Sequence, residues 1–410
     1  MGYFHPKQGI STLVNHVAEG DNPQLAHVTP IYQTSTFEFT DAASGAATFA
    51  GEKEGYIYTR WTNPNLDQTA RKIAVLEGLD LLRQQPDRND EEIVAARLFN
   101  CGMSAVTQAI LAHVKSGETI IAQEALYAAT YHFFNKFAPG YGIEVVCLQD
   151  NTPQGWEDAF KKHPKTTLAY AESPSNPTMS LTDLGAVAEV AHRHGAWLAA
   201  DNTFASSYCQ RPLTLGADVV LHSTTKYLSG HGVVVGGVVV SRHVDYIKSD
   251  LFNVFKTFGG APSPFDAWLT NLGLKTYELR MQRHVDNAMQ VARYLERHPR
   301  VARVNYPGLE SHPDNALAQR QMTSPGGMLS FELKGGLQAG ETLMNRVRVC
   351  SLAVSLGTVG SLISHPASMT HASVPREERL KTGVSDGLVR FSVGTENVGD
   401  ILEDLEQGLK

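Results

Sequence analysis

The chain has 410 residues, 42% hydrophobic and 19% charged. That is the make-up of an ordinary globular protein, long enough for two or three domains. Its net charge of −7 argues against nucleic acid as the main partner, because a phosphate backbone calls for a basic surface, but leaves room for a local anion pocket. The start, Met1 to Asn15, has no apolar core behind basic residues, and the longest apolar run, Gly232 to Val240, is about half the roughly 20 residues of a membrane helix. The four cysteines, Cys101, Cys147, Cys209 and Cys350, form no CxxC pair. The expectation is a cytoplasmic protein with no membrane partner and no metal site, its cysteines small core residues.

Residues 1–60 show no clear repeating pattern and read as an arm packed on other structure. The polar stretch Leu81 to Ala96 reads as a solvated excursion. From there the pattern alternates. Arg97–Asn100 ends a strand, and Met103, Val106, Ile110, Leu111 and Val114 fall at helical spacing. Thr119–Ala122, Ile143–Leu148 and Thr167–Glu172 are short β-rich runs. A helix through Leu184, Val187, Ala188 and Ala191 ends at Gly195. Ala196–Ala200, Asp218–His222 and Val233–Val240 complete the series. Strands alternating with helices predict an α/β fold with a mostly parallel central sheet covered by helices. After Gly260 the texture changes. Pro262–Pro264 opens one long helical stretch through Trp268, Leu272, Leu279, Val285, Met289 and Tyr294. A strand at Met328–Leu333 and a final helix through Val398, Ile401, Leu402 and Leu405 follow. The predicted units are 61–260 and a smaller α/β unit, 261–410.

In open parallel sheets, ligands bind beyond the carboxyl ends of the strands. Asp201 follows one predicted strand, Ser223 to Lys226 follow another, and Asn100 to Gly102 join a strand to a helix. These segments should converge on one rim, and their chemistry is complementary. A lysine amine forms a Schiff base with an aldehyde. A carboxylate holds a protonated pyridine nitrogen, making the ring an electron sink. Backbone N–H groups of Gly102 and Met103 at a helix N-terminus suit a phosphate, and Ser223 and Thr225 add hydroxyls. Together they form a site for pyridoxal 5'-phosphate (PLP). Singly, each has a plainer reading: Lys226 a solvated charge, Asp201 a cap, Gly102 a turn residue.

The segments AESPSNPT (171–178), DNTFASSY (201–208), HSTTKYLSGH (222–231), AVSLG (353–357), HPASMTH (365–371) and VRFSVGTE (389–396) resemble those of the Cys/Met-metabolism PLP enzymes, a family of γ-lyases, γ-synthases and sulfhydrylases. The resemblance runs from PIYQTSTF (30–37) to the last helix and implies a PLP-dependent transferase fold of type I. It implies that Lys226 carries the cofactor and shuttles protons, that Asp201 pairs with the ring nitrogen, and that Tyr127 stacks on the ring and serves the leaving group. Gly102, Met103, Ser223 and Thr225 would bind the phosphate. Tyr58 and Arg60 would reach the phosphate of a neighbouring subunit, making 1–60 an arm in a tetramer built from dimers. Arg390 would grip the substrate carboxylate as a bidentate fork, with Asn176 near it and Ser355 beside the lysine.

Three positions depart from the family's usual residues. Cys101 stands where Ser is common, which backbone phosphate donors tolerate. Ala129 stands where methionine γ-lyases often carry Cys. Val354 stands where cystathionine γ-lyases often carry Glu, which argues against a site tuned for a distal ammonium. The resemblance implies a carbon–sulfur lyase acting on a sulfur-containing amino acid, of the methionine γ-lyase kind. The alternatives are γ-replacement by an O-acetylhomoserine sulfhydrylase, a cystathionine γ-lyase or γ-synthase, and, remotely, a non-catalytic PLP-binding regulator. His231, His365 and His371 lie beside these motifs and read as structural.

Overall fold

A computed structural model describes residues 5–20, 22–370, 372, 375–381 and 383–410; His371 lies outside them. Seven strands form the larger sheet: β1 (Ala95–Phe99), β2 (Thr119–Gln123), β3 (Glu144–Leu148), β4 (Thr166–Glu172), β5 (Trp197–Asp201), β6 (Val219–His222) and β7 (Gly237–Ser241). Their order is β1-β7-β6-β5-β4-β2-β3. Only β7 runs antiparallel to its neighbours, so the expected mostly parallel sheet is present. Val219, Leu221 and Val239 enter the core on one face, and Val220, Val238 and Val240 the core on the other. Burial on both faces is why these strands read as continuous apolar runs rather than alternating ones.

The last of these strands is shorter than its apolar run predicts. Val233 to Gly236 leave the ladder and wrap the lysine turn, where the Gly236 N–H donates to Thr225 Oγ1 at 3.0 Å. A Cβ on Gly236 would meet Thr224 Oγ1 at 2.3 Å, so the approach needs glycine. Val233 and Val235 end up largely exposed.

Five strands form the second sheet: β8 (Val301–Asn305), β9 (Met328–Leu333), β10 (Ser351–Leu352), β11 (Leu362–Ser364) and β12 (Leu388–Ser392), in the order β10-β11-β12-β9-β8. The final helix, Val398–Leu409, covers it with Ile401 and Leu405. The long helical stretch after Gly260 divides into Pro264–Leu274 and Tyr277–Arg297. At the break the Gly273 carbonyl accepts from Thr276 Oγ1 (3.3 Å) and Arg280 Nη2 (2.9 Å), and the helix does not continue. Ala267, Leu274, Tyr277 and Met281 pack in a core of the large sheet, whereas Ala288, Val291, Ala292 and Leu295 pack under the small one. One helix thus ties the two sheets together.

In the N-terminal region, Leu13, Val14 and Val17 are buried in a core of the large sheet, while Ile31, Phe39, Phe49 and Tyr58 are exposed. The polar stretch 81–96 is not wholly solvated. Asp90 is 5% exposed and accepts from Arg71 Nε and Nη2, both at 2.9 Å. The bidentate pair explains the burial of a residue that composition assigns to the surface. Among the described residues no helix is long and apolar enough to cross a membrane, and all four cysteines are free.

Candidate active site

The carboxyl ends of β1, β4, β5 and β6 meet at one rim. β5 is the central strand, and Asp201 is its last residue. Asp201 Oδ1 accepts from the Thr203 N–H at 3.0 Å, and Thr203 Oγ1 accepts from the Ser223 N–H at 3.0 Å. A short polar chain therefore links the acid to the lysine loop. Ser223 Oγ and Thr225 Oγ1 both reach the Gly236 carbonyl, at 3.4 and 3.3 Å, which leaves both hydroxyls on one side of that loop.

The helix Gly102–His113 starts against the same loop. A Cβ on Gly102 would lie 3.0 Å from that of Ser223. The first turn of a helix leaves its leading N–H groups without intrahelical acceptors, here those of Gly102 and Met103. Cys101 caps this helix, its Sγ accepting from the Ser104 N–H at 3.3 Å. The thiol does what a serine hydroxyl does at an N-cap. Met103 accepts the Thr130 hydroxyl at its sulfur, 3.7 Å away.

Lys226 Nζ donates to Ser355 Oγ at 2.7 Å. Burial, and then the positive charge of Arg390, lower the amine's pKa to about 8. The Ser355 carbonyl accepts from Arg390 Nη2 at 2.9 Å, and Asn176 Oδ1 accepts from Nη1 at 3.5 Å. Lys226, Ser355, Arg390 and Asn176 are thus one connected set. Ser355 has φ +85°, a left-handed backbone that a non-glycine residue adopts under strain; the amine and guanidinium hold it there. Val354, the residue before it, is 57% exposed.

Tyr127 is half exposed. Its N–H is held by both carboxylate oxygens of Glu172, at 2.8 and 2.9 Å. Glu172 ends β4 directly opposite Asp201 on β5. Burial, and then the Asp201 charge, push the Glu172 carboxyl well above its ordinary value. Asp201 is also raised, by burial, against the pull of its Thr203 bonds and of His222. Glu172 and Thr203 are absent from the sequence reading, although both lie inside quoted motifs. Their signal is position: each sits at or just past the end of a strand next to one bearing a named residue.

Tyr58 and Arg60 stand apart. Arg60 Nη1 donates to the Lys256 carbonyl, and its guanidinium lies 5.6 Å from the Tyr58 ring centroid. Within one chain they are not joined to the cluster around Lys226.

The donor set fits PLP. It offers a part-buried amine bonded to a hydroxyl rather than to an acid, a carboxylate at the end of the central strand, and a helix start with hydroxyls beside it. Ala129 lies in the short helix after Tyr127, Ala128–His132. His231 Nδ1 contacts the Ser229 carbonyl at 2.7 Å, and His365 bridges Ser368 and the Asp386 carbonyl, both at 2.8 Å.

The Cys/Met metabolism PLP-dependent enzyme family matches residues 11–410. An L-methionine γ-lyase of Porphyromonas gingivalis is 46% identical over 405 residues, 98% of this chain and 97% of its own. An O-succinylhomoserine sulfhydrylase of Pseudomonas aeruginosa is 38% identical over 400 residues, 98% of this chain and 95% of its own. The crystal structure of a cystathionine γ-synthase from Xanthomonas oryzae pv. oryzae, in complex with aminoacrylate and cysteine, superposes with a TM-score of 0.89 at 37% identity, covering 98% of both chains. On the sequence match, the fold and the fit of the rim, the chain belongs to the Cys/Met-metabolism PLP-dependent enzymes.

Proposed function

We propose that the protein is a carbon–sulfur lyase of the methionine γ-lyase kind, converting a sulfur-containing L-amino acid and water to 2-oxobutyrate, ammonia and a thiol. The observation that carries this reading is the linked set Lys226–Ser355–Arg390, with the apolar Val354 open to solvent at the same turn. It offers an amine and a carboxylate clamp but no acid for a distal ammonium.

PLP, when bound, supplies an electron sink for the charge left at the substrate α-carbon. Lys226 Nζ would hold it covalently, with Asp201 at the ring nitrogen and Tyr127 against the ring face. Gly102, Met103, Ser223 and Thr225 would hold its phosphate. Arg390 exchanges its contacts with Asn176 and the Ser355 carbonyl for the substrate carboxylate. Once free, Lys226 Nζ takes the α-proton, and loss of a β-proton then supplies the electron pair that expels the sulfur from the γ-carbon; an amine with pKa about 8 gives and returns protons near neutral pH. Tyr127, near enough to Arg390 to act on its charge, would protonate the leaving sulfur. Exclusion of water and of competing thiols decides between elimination and replacement.

The second reading is γ-replacement, as in a sulfhydrylase, and the P. aeruginosa relative favours it. The test is 2-oxobutyrate release from L-methionine by the PLP-loaded protein, with O-acetylhomoserine run with and without sulfide. Prompt release from methionine is the expected result. Sulfide-dependent homocysteine from O-acetylhomoserine, with no release from methionine, establishes the replacement reading instead.

We further place the enzyme in the cytoplasm as a homo-oligomer, a tetramer built from dimers, with the boundary between its two larger units near Gly260. The exposed Ile31, Phe39 and Phe49 support an interface for the arm. The same holds for Tyr58 and Arg60, which among the described residues contact Lys256 and each other rather than the Lys226 cluster. Mixing Arg60→Ala subunits with Lys226→Ala subunits should then restore activity, because half of the sites in a mixed dimer carry both intact residues.

A further inference from the structure

Beneath the Asp201 rim lies a buried pair of ionisable side chains that the site as described does not use. His222 is the last residue of β6 and 2% exposed. Its Nε2 lies 2.7 Å from Glu77 Oε1, and the two side chains are 1% and 0% exposed. Glu77 closes the helix Pro64–Glu77. Its Oε1 also accepts from Asn202 Nδ2 at 3.1 Å, and its Oε2 is buried with no hydrogen-bond partner. Asn202 is fixed in turn by Gln210, whose carbonyl accepts Nδ2 at 2.8 Å and whose Nε2 donates to Oδ1 at 3.1 Å.

This arrangement is costly if its purpose is only packing. A carboxylate at a helix C-terminus faces the negative end of the helix dipole. A buried anion with one oxygen unsatisfied costs several kcal/mol unless a positive charge offsets it. A glutamine would satisfy Asn202 without that penalty. The group placed to offset it is the His222 imidazole, and its place on the sheet is specific. Asp201 pairs with Leu221 across β5 and β6, so His222 is one residue along the neighbouring strand. On the other side Asp201 faces Glu172, a like charge. The acid is thus set between a group that discourages its ionisation and one that favours it. The burial that raises the Asp201 carboxyl is opposed by its Thr203 bonds and by the His222 charge.

We propose that Glu77 and His222 are positioning residues for the cofactor: their ion pair keeps Asp201 ionised on the adjoining strand, so that Asp201 holds the ring nitrogen protonated. The inference rests on the assignment of Asp201 to that nitrogen. The pair does not touch the cofactor. It acts through Asp201, and its effect belongs to proton occupancy at the ring rather than to substrate binding.

The experiment is 15N NMR of the holoenzyme loaded with ring-15N PLP, in the wild type, Glu77→Gln, His222→Gln and Asp201→Asn. Asp201→Asn is expected to move the ring nitrogen to its unprotonated position. Glu77→Gln and His222→Gln are expected to move it part of the way. They should also speed cofactor loss and lower kcat about ten- to a hundredfold, with little change in KM. Thermal melts identify any variant that fails to fold; the uncharged double variant Glu77→Gln/His222→Gln, which keeps a hydrogen bond between the two, then gives the reading. Wild-type ring signals in the folded Glu77 and His222 variants, against a moved signal in Asp201→Asn, would overturn the proposal and leave the pair structural. An unmoved signal in Asp201→Asn overturns the assignment of Asp201 itself, and with it the proposal.

Discussion

β6 runs between two charged clusters that treat their charges in opposite ways. At its start, Asp218 is saturated. Oδ1 accepts from Arg242 Nη2 and His243 Nε2, and Oδ2 from His192 Nε2 and the Leu198 N–H, all at 2.8 Å. Burial alone would raise its carboxyl; the bonds from His243, His192, Leu198 and Arg242 outweigh that and bring it to about 2. Around it the Trp197 indole is stacked between His113 and His243, at 4.1 and 4.3 Å between ring centroids. At the other end of the strand nothing is saturated. Lys226 has a hydroxyl where an acid would stabilise it, and Asp201 and Glu172 are both pushed toward their neutral forms. A rim that only holds the fold satisfies its ions. A rim that does chemistry leaves them short of partners and so ready for a ligand.

That contrast can be broken most severely at Lys226. Lys226→Ala removes both the covalent anchor and the proton carrier, and turnover should fall at least about 10²–10⁴-fold. The checks are 2-oxo acid release and the cofactor's absorption on reconstitution. Near-normal release in that variant ends the assignment. Arg390→Lys keeps the charge but loses the fork. One charge-assisted hydrogen bond is worth about 1.5–3 kcal/mol, so KM should rise about ten- to a hundredfold with a smaller change in kcat, measured in steady-state kinetics on methionine. An unchanged KM would place the carboxylate clamp elsewhere.

At the other end of the strand the expected effect is on stability alone. The Asp218 carboxyl has a folded pKa of about 2, below its ordinary 3.8. Its contribution is present above the unfolded value and is lost as pH falls toward about 2, and the shift corresponds to about 2–3 kcal/mol. Asp218→Asn should lower stability by that order at pH 7, read by urea unfolding, and flatten the loss of stability between about pH 4 and 2. The cofactor spectrum should not change. A spectral change would mean that the two ends of β6 are coupled.

What the sequence made legible follows the same division. Lys226, Asp201, Ser223, Thr225, Gly102 and Met103 sit in short runs beside strand ends, and local pattern suffices to place them on one rim. Arg390 lies on β12 of the second sheet and Ser355 between β10 and β11, and only the motifs pointed to them. Glu172, Thr203, Glu77 and His222 act through pairings across strands or across 145 residues of chain, and no local pattern encodes a partner at that distance. The buried Asp90 was misjudged for the same reason, because its partner Arg71 lies on another element. The helix break at Lys275 follows from side chains that capture one carbonyl, whereas apolar periodicity alone runs straight through it.

The smallest expected effect is also the most direct test of the contrast. In the cofactor-free protein Lys226 is a part-buried ammonium whose pKa is lowered from 10.5 to about 8 by desolvation and then by Arg390. A depressed lysine pKa means that the folded state binds the proton less well than the unfolded chain does. Folding is therefore penalised below about pH 8, and the penalty fades as pH rises toward the unfolded value near 10.5. Lys226→Met has similar length and no charge. It should raise the stability of the cofactor-free protein by about 1–2 kcal/mol at pH 7, after allowance for solvent screening and for the lost bond to Ser355, and the gain should disappear near pH 10. The same kind of substitution at the lower rim destabilises. If Lys226→Met is destabilising at pH 7, the amine is satisfied in the empty site, and the two ends of β6 do not differ in the way their hydrogen bonds imply.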